Sequence, residues 1–114
     1  MEPIDENKRV QRRVEAAIPI HVRGLDASGT AYDDSTVAVE VSRRGLSFLT
    51  KHELATFALL TVVIPGRGPM RTETGPSDFF TEATVVRTVR EGDEFRVGVR
   101  FMGATLPMYS SESA

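Results

Sequence analysis

Residues 79–101 read FFTEATVVRTVREGDEFRVGVRF, and this stretch decides the fold class. Phe95, Val97, Val99 and Phe101 alternate with Arg96, Gly98 and Arg100. That period of two sends one set of side chains into a core and the other to the surface. Residues 79–89 are rich in β-branched and aromatic side chains, and Arg90-Glu91-Gly92-Asp93-Glu94 supplies a turn between the two runs. The stretch therefore predicts a β-hairpin.

The same period recurs upstream. Ile18, Ile20 and Val22 alternate with Pro19, His21 and Arg23 as far as Gly24, and Pro19 places that strand at an edge. Val37, Val39 and Val41 point one way and Ala38, Glu40 and Ser42 the other, until Arg43-Arg44-Gly45 ends the run. Leu46–Thr50 and Leu59–Ile64 supply two more strands. Six short strands with little helix predict an all-β fold, a closed or nearly closed six-stranded antiparallel β-barrel. Between the strands, residues 25–35 read as a loop or short hairpin, 51–58 as a helical turn, and 65–78 (PGRGPMRTETGPSD) as a long mobile loop. The organisation expected is an extended N-terminal arm over 1–17, the barrel over 18–103 and a polar C-terminal tail over 104–114.

A chain of 114 residues holds one core of this kind. Its net charge of −2 argues against bulk nucleic-acid binding, which needs many Lys and Arg to neutralise phosphates. The absence of cysteine removes disulfides and thiolate metal sites and suits a reducing cytoplasm. The charged first residues lack the apolar core of a signal peptide, so the N terminus is expected to stay on the mature protein. Phe57–Ile64, the most apolar segment, is far shorter than the roughly 20 residues of a membrane span.

Catalytic chemistry finds no footing. His21 and His52 stand singly and read as surface residues, with no second ligand at metal spacing. The carboxylates Asp33-Asp34 and Glu91/Asp93/Glu94 fall in apparent turns, where solvated acid explains them. Ser42 has no local base to activate it. Gly66-Arg67-Gly68 is followed by proline and opens no helix, so it is no phosphate loop. These absences predict a binding module without cofactor or metal, not an enzyme.

Two clusters remain. Lys8-Arg9-Val10-Gln11-Arg12-Arg13 is the densest basic segment. An arginine fork can take a phosphate through two hydrogen bonds and can stack on a base, although for the segment by itself a solvated charge run is the better account. Glu40-Val41-Ser42-Arg43-Arg44-Gly45 sets a carboxylate and a hydroxyl on one strand face before a turn with free backbone N–H groups. Those partners match the donors and acceptors of a guanine edge, as they would match the ordinary polar end of a strand.

In this order, Arg9-x-x-x-Arg13, a first strand IPIHV, and Glu40-x-Ser42-x-x-Gly45 leading into Leu46-Ser47-Phe48 resemble the PilZ family. The closing ATVVRT…EFRVGVRF also looks like that family's last strand pair, so the resemblance runs from Arg9 to Gly103. It implies a PilZ-type barrel of bacterial second-messenger signalling that binds cyclic di-GMP. Arg9 and Arg13 would lie on phosphate and guanine, and the Glu40, Ser42 and Gly45 segment on a guanine. Arg12, at no fixed motif position, would add an auxiliary contact. It further implies an effector whose arm closes on the nucleotide and whose altered surface is read by a protein partner. Glu40 departs from the family's Asp or Asn by one methylene, which supports the alternative of a PilZ-like protein-interaction domain that binds no nucleotide. The short polar end, where many members carry a helix, is a second departure.

Overall fold

The computed structural model describes residues 14–103. Its strands are β1 (Val14–Leu25), β2 (Ala31–Ser42), β3 (Gly45–Thr50), β4 (Leu59–Ile64), β5 (Arg71–Thr72), β6 (Gly75–Pro76), β7 (Phe79–Glu91) and β8 (Glu94–Phe101). Six of them close into an antiparallel barrel in the order β1-β2-β3-β8-β7-β4, and β5 and β6 form a separate two-stranded ribbon. The barrel closes where His21 to Gly24 of β1 pair with Val63 to Leu60 of β4.

Alternation fills the interior. Ile20 and Val22 of β1, Leu46 and Phe48 of β3, Val62 and Ile64 of β4, and Val97 and Val99 of β8 are all buried. Phe79 meets Phe101 with ring centroids 5.1 Å apart, a tilted aromatic pair inside the core. Burying each such side chain contributes roughly 1.5–3 kcal/mol, which holds the strand phases in place. The 79–101 hairpin forms as its sequence predicts, with Gly92 at φ 67° in the tight turn between β7 and β8.

Several expectations need correction. The β1–β2 hairpin is longer than its polarity implied: β2 begins at Ala31, and only residues 26–30 turn. The Asp26 carboxylate caps that turn, accepting from Thr30 N (2.9 Å), Ser28 Oγ (2.8 Å) and Ser28 N (2.9 Å). Those bonds hold its pKa below the ordinary value, the Thr30 amide most of all. Asp33 and Asp34 are thus strand residues. Asp34 accepts from His52 Nε2 at 3.1 Å, and His52 stacks on Tyr32 with centroids 5.1 Å apart, so this histidine is an anchored, half-buried group.

The valines of β2 do not share a face. Val41 is 3% exposed and Val37 42%, because a bulge falls between Ala38, paired with Phe48, and Glu40, paired with Ser47. The extra residue, Val39, shifts the phase so that Ala38 and Val41 both point inward. A matching irregularity on β1 between Glu15 and Ile18 interrupts the alternation there, so the strand starts at Val14, ahead of the apolar run.

Residues 51–58 contain no helical turn. They run as irregular chain with a turn at 56–57, Leu54 buried and Phe57 N donating to Val85 O at 2.6 Å. The Pro65–Asp78 loop folds on itself through the β5–β6 ribbon, with Gly68 N donating to Ser77 O at 2.6 Å and Ser77 N to Met70 O at 2.8 Å. Pro19 pairs with Val37 on one side and lies outside the β1–β4 register, which starts at His21, so it behaves as a local edge in a closed sheet.

Candidate functional site

The outer wall across β2, β3, β8 and β7 carries a groove of about 910 Å³. One row of in-register residues crosses it: Glu40 pairs with Ser47, Ser47 with Gly98, and Gly98 with Arg87. At the usual spacing of about 4.8 Å between strands, this row spans roughly 14 Å. A second row runs from Ser42 through Gly45 to Arg100. Small residues at the middle of both rows make the wall concave where large side chains would make it convex.

Two bulges shape the rim. The Val39 bulge turns Glu40 outward alongside Ser42, so the predicted carboxylate and hydroxyl do share a face. On β7, the register steps from Val85–Val99 to Arg87–Gly98, which leaves Val86 as the extra residue. Val86 and Arg87 are consequently both exposed on the groove side. Bulges of this kind re-aim side chains beside binding sites.

The β2–β3 turn is held by Ser42, whose Oγ donates to Gly45 O (3.3 Å) and accepts from Arg44 N (3.4 Å). Phe101 N donates to Arg44 O at 2.7 Å, tying the turn to the end of β8. Gly45 is fixed by packing: a Cβ there would fall 2.1 Å from Val99 O, a backbone atom of β8. Among the described residues, Ser47 Oγ is the buried side-chain oxygen without a hydrogen-bond partner.

The groove is cationic on a chain of net charge −2. Arg43, Arg44, Arg87, Arg96 and Arg100 line it against Glu40 and Glu91, an excess of three positive charges. Arg96 Nε bonds Glu91 Oε2 at 2.9 Å, whereas Arg87 and Arg100 reach into solvent. Such a wall attracts an anion, and its guanidinium forks suit phosphate.

Of the residues predicted from sequence, Glu40, Ser42 and Gly45 come together on this groove, while Arg9, Arg12 and Arg13 lie outside the described residues. The chain nevertheless enters the barrel here: Arg13 is bonded to Val14, whose register partner is Val41 in the groove lining. Sequence reasoning assigned no role to Arg87, Arg96 or Arg100. The signal was present in Arg96-x-Gly98-x-Arg100, whose spacing puts all three on the outer face of β8.

The described residues thus form a closed six-stranded antiparallel barrel with a cationic groove on its outer wall. The chain belongs to the PilZ domain family, whose model matches residues 7–110. No curated protein matches it. Among solved structures, it resembles the Bacillus subtilis inhibitor of motility MotI/DgrA, with 17% identity and TM-score 0.57 over 81% of this chain and 41% of that one. It also resembles the PilZ domain with c-di-GMP of YcgR from Escherichia coli, with 16% identity and TM-score 0.48 over 82% of this chain and 78% of that one. At 17% identity the likeness to the motility inhibitor is one of fold. The chain spans 41% of the length of the motility inhibitor.

Proposed function

We propose that the groove binds cyclic di-GMP and that the chain is a bacterial, cytoplasmic effector module acting through a protein partner, with no reaction of its own. The observation that carries this reading is the convergence of Glu40, Ser42 and Gly45 on an arginine-lined groove at the point where the Arg9-x-x-x-Arg13 segment joins the barrel. Arg9 and Arg13 take phosphate and guanine, Arg12 adds a contact, and Glu40, Ser42 and the backbone at Gly45 meet a guanine edge. The groove's positive excess complements the phosphodiester charges. Binding draws the segment preceding Val14 onto the wall beside Val41, and the altered surface is what a partner reads.

Calorimetric titration with cyclic di-GMP, with GTP and a short oligonucleotide as controls, tests this. Saturable binding of cyclic di-GMP alone is expected. Arg13→Ala should weaken it ten- to a hundred-fold, since a charge-assisted hydrogen bond contributes about 1.5–3 kcal/mol. Arg71→Ala, in the β5–β6 ribbon away from the groove, should leave it unchanged. No binding at all would leave the interaction-only alternative that Glu40 supports. Equal losses at Arg13 and Arg71 would reduce the clamp to general electrostatics.

A further inference from the structure

Gly45 and Gly98 both lie on the groove, but only one is explained by the fold. At Gly45 an added Cβ would collide with backbone at 2.1 Å, so β3 and β8 can pack there only around glycine. At Gly98 the nearest atom to an added Cβ is Arg87 Cβ at 3.8 Å, an ordinary contact, and φ is not in the left-handed region. The barrel has room for a side chain at 98 and asks for no special backbone. Glycine within a strand weakens it and often marks close approach of a ligand or of another backbone. Among the described residues, no backbone atom lies within 4 Å of a Cβ added at Gly98.

Its surroundings fit a ligand. Gly98 occupies the middle of the row from Glu40 to Arg87, at the floor of the groove. The β7 bulge leaves apolar Val86, 47% exposed, and Arg87 both on the groove side beside Gly98, and Arg100 stands one row away. A flat floor without a side chain, flanked by an apolar group and by planar cations, matches the face of a purine ring, on which arginine stacks.

We infer that Gly98 is a ligand contact: a purine ring of the bound nucleotide lies on the floor at Gly98, with Arg87 packed along its flank. This rests on the nucleotide-binding reading above and extends it to the β7–β8 hairpin, outside the Arg9/Arg13 and Glu40/Ser42/Gly45 clusters. Any side chain at 98 lifts the ring away from the floor and from the donors on β2.

The test compares Gly98→Val and Gly98→Ala with the wild type by thermal melting and by calorimetric titration with cyclic di-GMP. Valine suits a strand and fits the space, so Gly98→Val should melt at the wild-type temperature or above while its affinity falls at least tenfold. Gly98→Ala should lose less. Wild-type affinity in Gly98→Val overturns this inference alone, leaving the groove assignment standing. Lower melting temperatures in both variants would show that the barrel itself requires glycine and would also overturn it. A wild type that does not bind overturns the proposed function and this inference together.

Discussion

Gly45→Ala should unfold the barrel before it informs on the ligand. The new Cβ would lie 2.1 Å from Val99 O and 3.3 Å from Arg100 Cα, both backbone atoms, so no side-chain rotation relieves the clash. Val99 is held in register by Leu46 on one side and Val85 on the other, which leaves the two strands no cheap way to separate. Overpacking of a tight site costs about 1–3 kcal/mol, and more where backbone must move. For a domain of this size each kcal/mol lowers the melting temperature by roughly 4–8 °C, so a drop on the order of 10 °C or more is expected. Circular dichroism melts of wild type, Gly45→Ala and Gly98→Ala in parallel measure it, the last being the control at ordinary contact distance. Unchanged melting in Gly45→Ala would refute the packing argument and move the need for glycine at 45 from the fold to the ligand.

Two further outcomes are expected. Glu40→Asp shortens the carboxylate to the family's length, and if the longer chain fits a guanine edge poorly, calorimetry should show affinity rising up to about tenfold as one hydrogen bond is regained; weaker binding instead would show that Glu40 reaches the base as it stands. Tyr32 has its pKa raised to about 12, chiefly by burial and then by Asp34 and Asp26, so the fold holds the phenol proton more tightly than the unfolded chain does. That stabilisation, on the order of 2 kcal/mol, is complete below pH 10 and is lost as pH climbs towards 12. Denaturant midpoints of the wild type should therefore fall across that window more steeply than those of Tyr32→Phe, and parallel curves would contradict it.

What could be read from sequence divides along physical lines. The β7–β8 hairpin was legible because its alternation and its turn agree. The phase of β2 was not: Val37-x-Val39-x-Val41 is a perfect period of two, and only the pairing with β3 reveals the bulge that breaks it. Asp33 and Asp34 looked like a turn because their strand character comes from the twelve-residue partner strand and from His52, a contact far along the chain. The Glu40, Ser42 and Gly45 cluster was legible as a local motif. The arginine wall opposite was not, since it requires knowing that β8 lies between β3 and β7.

Closure of the barrel bears directly on how a ligand can act. Because the six strands close on themselves, the sheet keeps only local edges, such as β1 ahead of His21, and the groove lies on its outer wall. Here the wall becomes concave through two one-residue bulges, at Val39 and Val86, and through glycine and serine at the middle of the rows. None of the side chains that would touch a ligand belongs to the core, since Glu40, Ser42, Arg87 and Arg100 all point away from it. Changes at Arg87 and Arg100 should therefore move affinity while leaving the melting temperature nearly fixed, whereas Ser42, which holds the β2–β3 turn, and Gly45, wedged against Val99, move both. On the reading proposed above, the tightly packed interior is not the element that switches. Interior side chains interlock at crystal-like density, and a ligand on the outer face makes no differential contact with them. On the reading proposed above, the change that a partner reads therefore lies on the outer wall and not in the interior.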